Sequence, residues 1–359
     1  MRSNSNNTHI DGTSFRDSDK NSSSSGDKVQ EYTALYNRLK QNLQTSLPVV
    51  DDFLRACFVS SCDSVLSAQT TLDKATKVRN EAKDDRQKKD ADAVVDSAQS
   101  ALDEANKVNI SAALPVLDAI GVLADDGVAI VTTSLMQCFI LKTGTPENLA
   151  KFANQGPDQA VLIDRLLTNE VLLRQIICAG CARKDNFGPA MQIYHDICKH
   201  TDKIPKEALL QRFALATALE HAEKRAEFDT PNTFTDPIKR YLCYERAYLN
   251  GELDPAFPNL TTWEYRMICD CDAPDEQLLW GRDMLRNYRP DEVFEDYAWR
   301  YCRSVRTEVG YRRPEWTEKP RTYQQLISGG GQCGPRAWFG RFICKSFGIP
   351  TWGARQPGK

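Results

Sequence analysis

The chain has no long apolar run, little histidine and no marked excess of either charge. Its best hydrophobic stretch, Val128 to Leu141, is too short and too interrupted by polar residues to cross a bilayer. Lys and Arg number 46 against 49 Asp and Glu, a net charge of −3. That balance argues against a surface that seeks nucleic acid and against a polybasic membrane anchor, leaving proteins or peptides as the expected partners. The start of the sequence, Met1 to Gly26, is polar and serine-rich without an apolar segment, so no secretory leader is expected. Twelve cysteines in 359 residues are too few for a disulfide scaffold, and reduced thiols in a cytoplasmic setting fit better. Gly329 to Gly331 are not followed by Gly-Lys-Ser/Thr, which excludes a phosphate-binding loop of the Walker type. What remains, with apolar residues at 41% and charged residues at 26%, is an ordinary globular composition of two or three domains.

The reading along the chain is mainly α-helical. Residues 1–27 are too polar to bury a core and are expected to be a disordered tail. Residues 28–110 are expected to form a long helical hairpin. From Asp51 to Val108 there is neither Gly nor Pro. Val65, Ala68, Leu72, Ala75 and Ala82 form one small-residue seam; Ala91, Val94, Ala98, Ala101, Ala105 and Val108 form another. The charged stretch Glu81 to Asp90 between them reads as the tip of two antiparallel helices, with one continuous coiled coil as the alternative. Such an arm suits self-association. Residues 111–229 read as a helical domain, with Thr145-Pro146 as a cap and first-turn proline. Residues 230–320 form an aromatic-rich helical region; all six tryptophans lie after Asn232. Residues 321–359 stand apart for their chemistry.

There the sequence runs Gly329-Gly330-Gly331-Gln332-Cys333-Gly334-Pro335, then on to Gly348 and Pro350. Glycines permit a tight turn, Pro335 suits a first helical turn, and Gly348 with Pro350 ends the helix. A thiol at the mouth of that helix feels the positive end of its dipole, which favours the attacking thiolate. Cys333 is therefore the candidate nucleophile. Trp338 and Phe339 are expected to pack the helix, Arg336 and Arg341 to pair with surface carboxylates, and Cys344 to be a structural thiol. Cys178-Ala179-Gly180-Cys181, with His195, Cys198 and His200 beyond it, lacks the second ligand pair of a closed zinc site and reads as packed thiols on one continuous helix. Cys269-Asp270-Cys271 is weaker still. Arg300, Arg303 and Arg306 beside Trp299 and Tyr301 read as the solvated face of an amphipathic helix, not as a nucleic-acid patch. No cofactor or metal is expected.

The glycine turn, Cys333 and the step Phe347-Gly348-Ile349-Pro350-Thr351 into an expected strand Trp352–Arg355 resemble the transglutaminase-like superfamily. Asp236 to Tyr241, Glu252 to Pro255 and Leu279 to Met284 resemble the helical region preceding that core in some large members, so the likeness reaches back to about residue 145. The resemblance implies an α+β core of which this chain holds the first helix and strand. It also implies thiol-dependent acyl transfer or hydrolysis at a glutamine amide or peptide carbonyl, on protein or peptide substrates. In the family a His and then an Asp or Asn follow the Cys helix; the sequence given ends at Lys359, before both, and is expected to stop inside that core. His9, His195, His200 and His221 all precede Cys333. The alternative is a non-catalytic helical interaction or scaffold protein.

Overall fold

The computed structural model describes residues 21–46, 50–82, 84–120, 125–182, 184–204, 207–288, 309–316 and 319–353. The arginine cluster 300–306, residues 1–20 of the expected tail and the stretch 354–359 lie outside the described residues, while residues 21–27 of that expected tail are helical instead, forming the start of a helix that runs to Ser46. The fold is mainly α, with fourteen helices and one two-stranded sheet among the described residues. Two compact units are formed, residues 38–138 with 351–359, and residues 1–37 with 139–350.

The first unit is built on α2 (Asp52–Glu81) and α3 (Asp85–Ile120); α1 (Asn21–Ser46) and α4 (Asp125–Gly144) each belong partly to it. Asp51 starts α2 by accepting from the N–H groups of Phe53 and Leu54. The two helices run antiparallel: Arg79 meets Asp92 at 2.9 Å near the tip, and Asn109 donates to Ser61 at 3.0 Å further down. On α2 the residues turned inward are Leu54, Phe58, Ser61, Val65, Ala68, Leu72 and Ala75, spaced alternately four and three apart. That heptad spacing is the signature of a coiled-coil seam. The α2 seam is as the spacing predicts. On α3 it is shifted: Ala91, Val95, Ala98, Leu102, Ala105 and Asn109 point inward, whereas Val94, Ala101 and Val108 are exposed. Both stripes keep a heptad phase and share Ala91, Ala98 and Ala105; the face toward α2 takes the residues on one side of that line, Val95, Leu102 and the polar Asn109, in place of Val94, Ala101 and Val108.

The second unit holds the tail of α4, then α5 (Pro146–Ala153), α6 (Pro157–Thr168), α7 (Glu170–Cys178), α8 (Lys184–His200) and α9 (Ala208–Glu220). Strands β1 (Ala226–Glu227) and β2 (Thr230–Phe234) pair antiparallel. Then come α10 (Pro237–Leu249), α11 (Thr262–Cys269), α12 (Asp275–Tyr288), α13 (Tyr323–Gly329) and α14 (Cys333–Ser346). Caps are written in the sequence: Thr145 before Pro146, Asp236 before Pro237, and a reciprocal Thr261–Glu264 box on α11. Helix α9 is mostly apolar and buried along nearly its whole length, with Phe213 wholly buried among Tyr241, Tyr244, Phe257 and Tyr265 at ring separations of 5.3–5.7 Å. Arg240, also wholly buried, donates to Asp275 at 2.6 Å and to the carbonyls of Cys271 and Ala273 at 2.8 and 2.6 Å, stapling α10 to the α11–α12 loop. Thr351 to Gly353 are not extended into a strand, so the described part of the expected 352–355 segment pairs with nothing in a sheet.

Candidate functional site around Cys333

Cys333 is the first residue of α14, and its side chain is exposed. Gln332 occupies the cap position with extended backbone and gives no side-chain hydrogen bond to the helix. The glycine turn in front is shaped by α13, itself started by a Thr322–Gln325 capping box. Gly330 closes α13 with φ of +69°, and a Cβ there would stand 2.6 Å from Arg312 Cγ. Only glycine fits without strain. At Gly329 a Cβ would collide with the Trp316 ring.

What crowds these glycines is the segment 309–316, which runs beside the turn. Gly331 N–H donates to Gly310 C=O at 3.0 Å, and Glu315 N–H to Gly329 C=O at 3.1 Å. Arg312 donates to Ser328 C=O, and Arg336 to Val309 C=O. Arg336 thus ties the first turn of α14 to this strap and lies 5.9 Å over the Tyr311 ring, where a carboxylate partner was expected. Trp338 stands 6.1 Å from Phe228 and 6.4 Å from Trp316. Arg321 covers both Phe228 and Trp316 and is bound by Asp229 at 2.6 Å. Hydrogen bonds from the Arg321 side chain and N–H hold the Asp229 carboxyl down to about 2.

The far end of α14 is buried. Phe339, Phe342 and Ile343 enter the core, with Phe342 stacked 4.2 Å from Tyr323. Its last carbonyls are held by Tyr244 Oη on Lys345 at 2.8 Å, Arg282 Nη1 on Ser346 at 2.9 Å and Asp254 N–H on Phe347 at 2.8 Å. Lys345 pairs with Asp270, and Arg282 with Glu252 at 3.2 Å. Cations at a helix C-terminus are favourable to its dipole. Cys344 is half-buried.

The other sulfur and imidazole candidates are elsewhere. Helix α7 ends at Cys178, and Cys181 lies beyond a turn with φ of +57°, so the pair does not share one continuous helix. Cys178 is exposed, while Cys181 sits against Thr143 Oγ1 at 3.7 Å. Burial pushes the Cys181 and Cys198 thiols up, and that of Cys269 to about 12. No group of three metal-ligating side chains forms among the described residues. His221 is buried with its Nε2 3.1 Å from Cys269 C=O and its Nδ1 without a partner; burial, aided by Arg240, lowers it to about 4. His195 lies against Asp196 at 3.3 Å, and His200 against the Asp196 carbonyl at 2.7 Å. Among the described residues, none of these three imidazoles is bonded to Cys333. The strap 309–316 and the anchors Tyr244 and Arg282 were not picked out as site residues by sequence reasoning. Arg282 stands in the quoted Leu279–Met284 segment, but nothing in that pattern reports a bond to a carbonyl far along the chain.

Compared with protein-family models, curated proteins and solved structures, the chain matches none. No helix among the described residues is long and apolar enough to cross a membrane.

Proposed function

We propose that Cys333 is the nucleophile of a transglutaminase-like acyl-transfer centre. One observation carries the reading: an exposed thiol at the first position of a 14-residue helix whose cap offers no competing side-chain acceptor. Its sulfur attacks the carbonyl carbon of a glutamine amide or a peptide bond. The C–N bond breaks, ammonia or an amine departs with the proton the thiol gave up, and a thioester remains. An amine then yields a cross-link and water yields hydrolysis. Free N–H groups in the first helical turn are suited to the oxyanion. A reducing, cytoplasmic setting belongs to the same proposal, since the thiol must stay reduced to attack. The proposal concerns the nucleophile; a positioned base adds about 100-fold to 10,000-fold, and no imidazole is bonded to Cys333 among the described residues.

The test is thiol labelling of the full chain by limiting iodoacetamide at neutral pH, mapped by mass spectrometry. Cys333 is expected to react ahead of the exposed Cys57, Cys62 and Cys178. Equal rates at all four overturn the reading.

A second reading, a helical interaction protein whose hairpin mediates self-association, is favoured by the large apolar side chains left in solvent on α2 and α3. Phe53 is 73% exposed, Leu66 67% and Val78 62%.

A further inference from the structure

The hairpin is patterned for more neighbours than it has. In heptad terms α2 and α3 use positions a and d against each other, and position g lies along one flank of the pair. On α2 the g residues are Cys57, Ser64, Thr71 and Val78; on α3 they are Gln87, Val94, Ala101, Val108 and Pro115. All nine are exposed, none is charged, and Val78, Val94 and Val108 are each more than half in solvent. The opposite flank differs, with Arg55, Cys62, Gln69 and Thr76 on α2 and Asp92, Gln99 and Asn106 on α3. An apolar face of a, d and g, three positions in seven, belongs to helices inside bundles; a strict two-stranded coil needs only a and d. Helix α3 therefore carries a face for two partners, and α2 fills one place.

We infer that the second place is taken by another copy of this hairpin, laid antiparallel on the g flank to make a four-helix bundle. This rests on the interaction-protein reading and is independent of chemistry at Cys333. The size is adequate: 30 residues of α2 give a face about 45 Å long and about 20 Å wide. That is on the order of 900 Å² per copy, against about 800 Å² in a standard stable interface. Charge selects the direction. At the positions beside the g flank, Asp63 and Glu104 toward the base outnumber Lys107, whereas toward the tip Lys74, Lys77 and Arg86 outnumber Glu81 and Asp90. Antiparallel stacking places the tip of one copy on the acidic base of the other; parallel stacking sets base against base. Ala101, near the middle of α3, then meets its own counterpart.

The experiment is light scattering and sedimentation of the full chain at micromolar concentration. A dimer is expected, weakened about 100-fold or more by Val94→Glu with Ala101→Glu, which would bury unpaired charge. Far-UV dichroism should stay unchanged, both positions being exposed in the single hairpin. Gln99→Glu on the opposite flank should leave the dimer intact, and Ala101→Cys should cross-link to its own copy in mapped peptides. A monomeric wild type overturns both the inference and the reading beneath it. A dimer that resists the g-flank pair but is lost with Gln99→Glu leaves the arm an interaction surface and overturns this face. Failure of the Ala101→Cys cross-link in a dimer that the g-flank pair does break overturns the antiparallel arrangement, and saturation of the flank by a helix from a different protein overturns the second copy as occupant.

Discussion

Around Phe213 a helix is enclosed on every side, whereas along α2 and α3 each helix hides a single stripe of mostly small residues. The enclosed region can also bury polar groups, because enough surrounding backbone is at hand to satisfy them: Arg240 finds a carboxylate and several carbonyls. The hairpin seam admits Asn109 only because Ser61 and Cys62 face it. Stability in the first region rests on three-dimensional enclosure, and in the second on keeping register along a line.

Substitutions should separate the two. The largest effect is expected from Arg240→Met, which takes the cation from half-buried Asp275 and the donor from the Cys271 and Ala273 carbonyls, Cys269 C=O keeping His221, and should cost about 3 kcal/mol in chemical unfolding. A loss under about 1 kcal/mol would mean that the staple is dispensable. Acid comes next. His221 stays neutral in the fold down to about 4, while its unfolded counterpart protonates near 6.5. The stability it contributes is complete above pH 6.5 and is lost as pH falls toward 4, roughly 3 kcal/mol in all. Tryptophan fluorescence reports mainly this region, since residues 38–138 hold no tryptophan and Trp352 is the single one assigned to the first unit. His221→Gln should flatten its slope, and the histidine-free hairpin should show none. Leu102→Ala in the hairpin should cost about 2 kcal/mol, at the low end for a buried leucine because one stripe is all it packs against. A cost equal to that of Arg240→Met would erase the contrast. Smallest is Asn109→Leu, expected to raise stability by about 1 kcal/mol or less while loosening register, seen as faster amide exchange at the tip.

Much of this architecture was legible in the residues, and the failures have physical causes. Helix starts at Thr145-Pro146 and Asp236-Pro237 could be read because caps act within one turn. The α2 seam was legible because Val65, Ala68, Leu72 and Ala75 run unbroken, whereas Phe53, Val59, Leu66 and Val78 stand among polar residues in other phases. On α3, Val94 competes with Val95 and Ala101 with Leu102, and the true phase passes through a polar Asn109, so composition favoured the wrong stripe. That misplaced stripe is the exposed g flank. The two cysteines 178 and 181 looked helical together, yet Gly180 with φ of +89° ends the helix between them. For the candidate site, the turn, Cys333 and the helix end at Gly348 were readable as local chemistry. Its strap and anchors were not, because they bind backbone atoms through contacts that leave no mark in side-chain pattern.

Helix α14 is in mechanical terms a cantilever. It is clamped where Tyr244, Arg282 and Lys345 grip its last turn, and Cys333 sits at the other end, about 20 Å away for a 14-residue helix. A tilt of about 5° at the clamp would swing the sulfur by on the order of 2 Å, and misplacement of about 1 Å can cost a reaction 100-fold. The residues that govern where the thiol points therefore include some of those farthest from it along the helix, with the glycine-clamping strap as the brace that damps the swing.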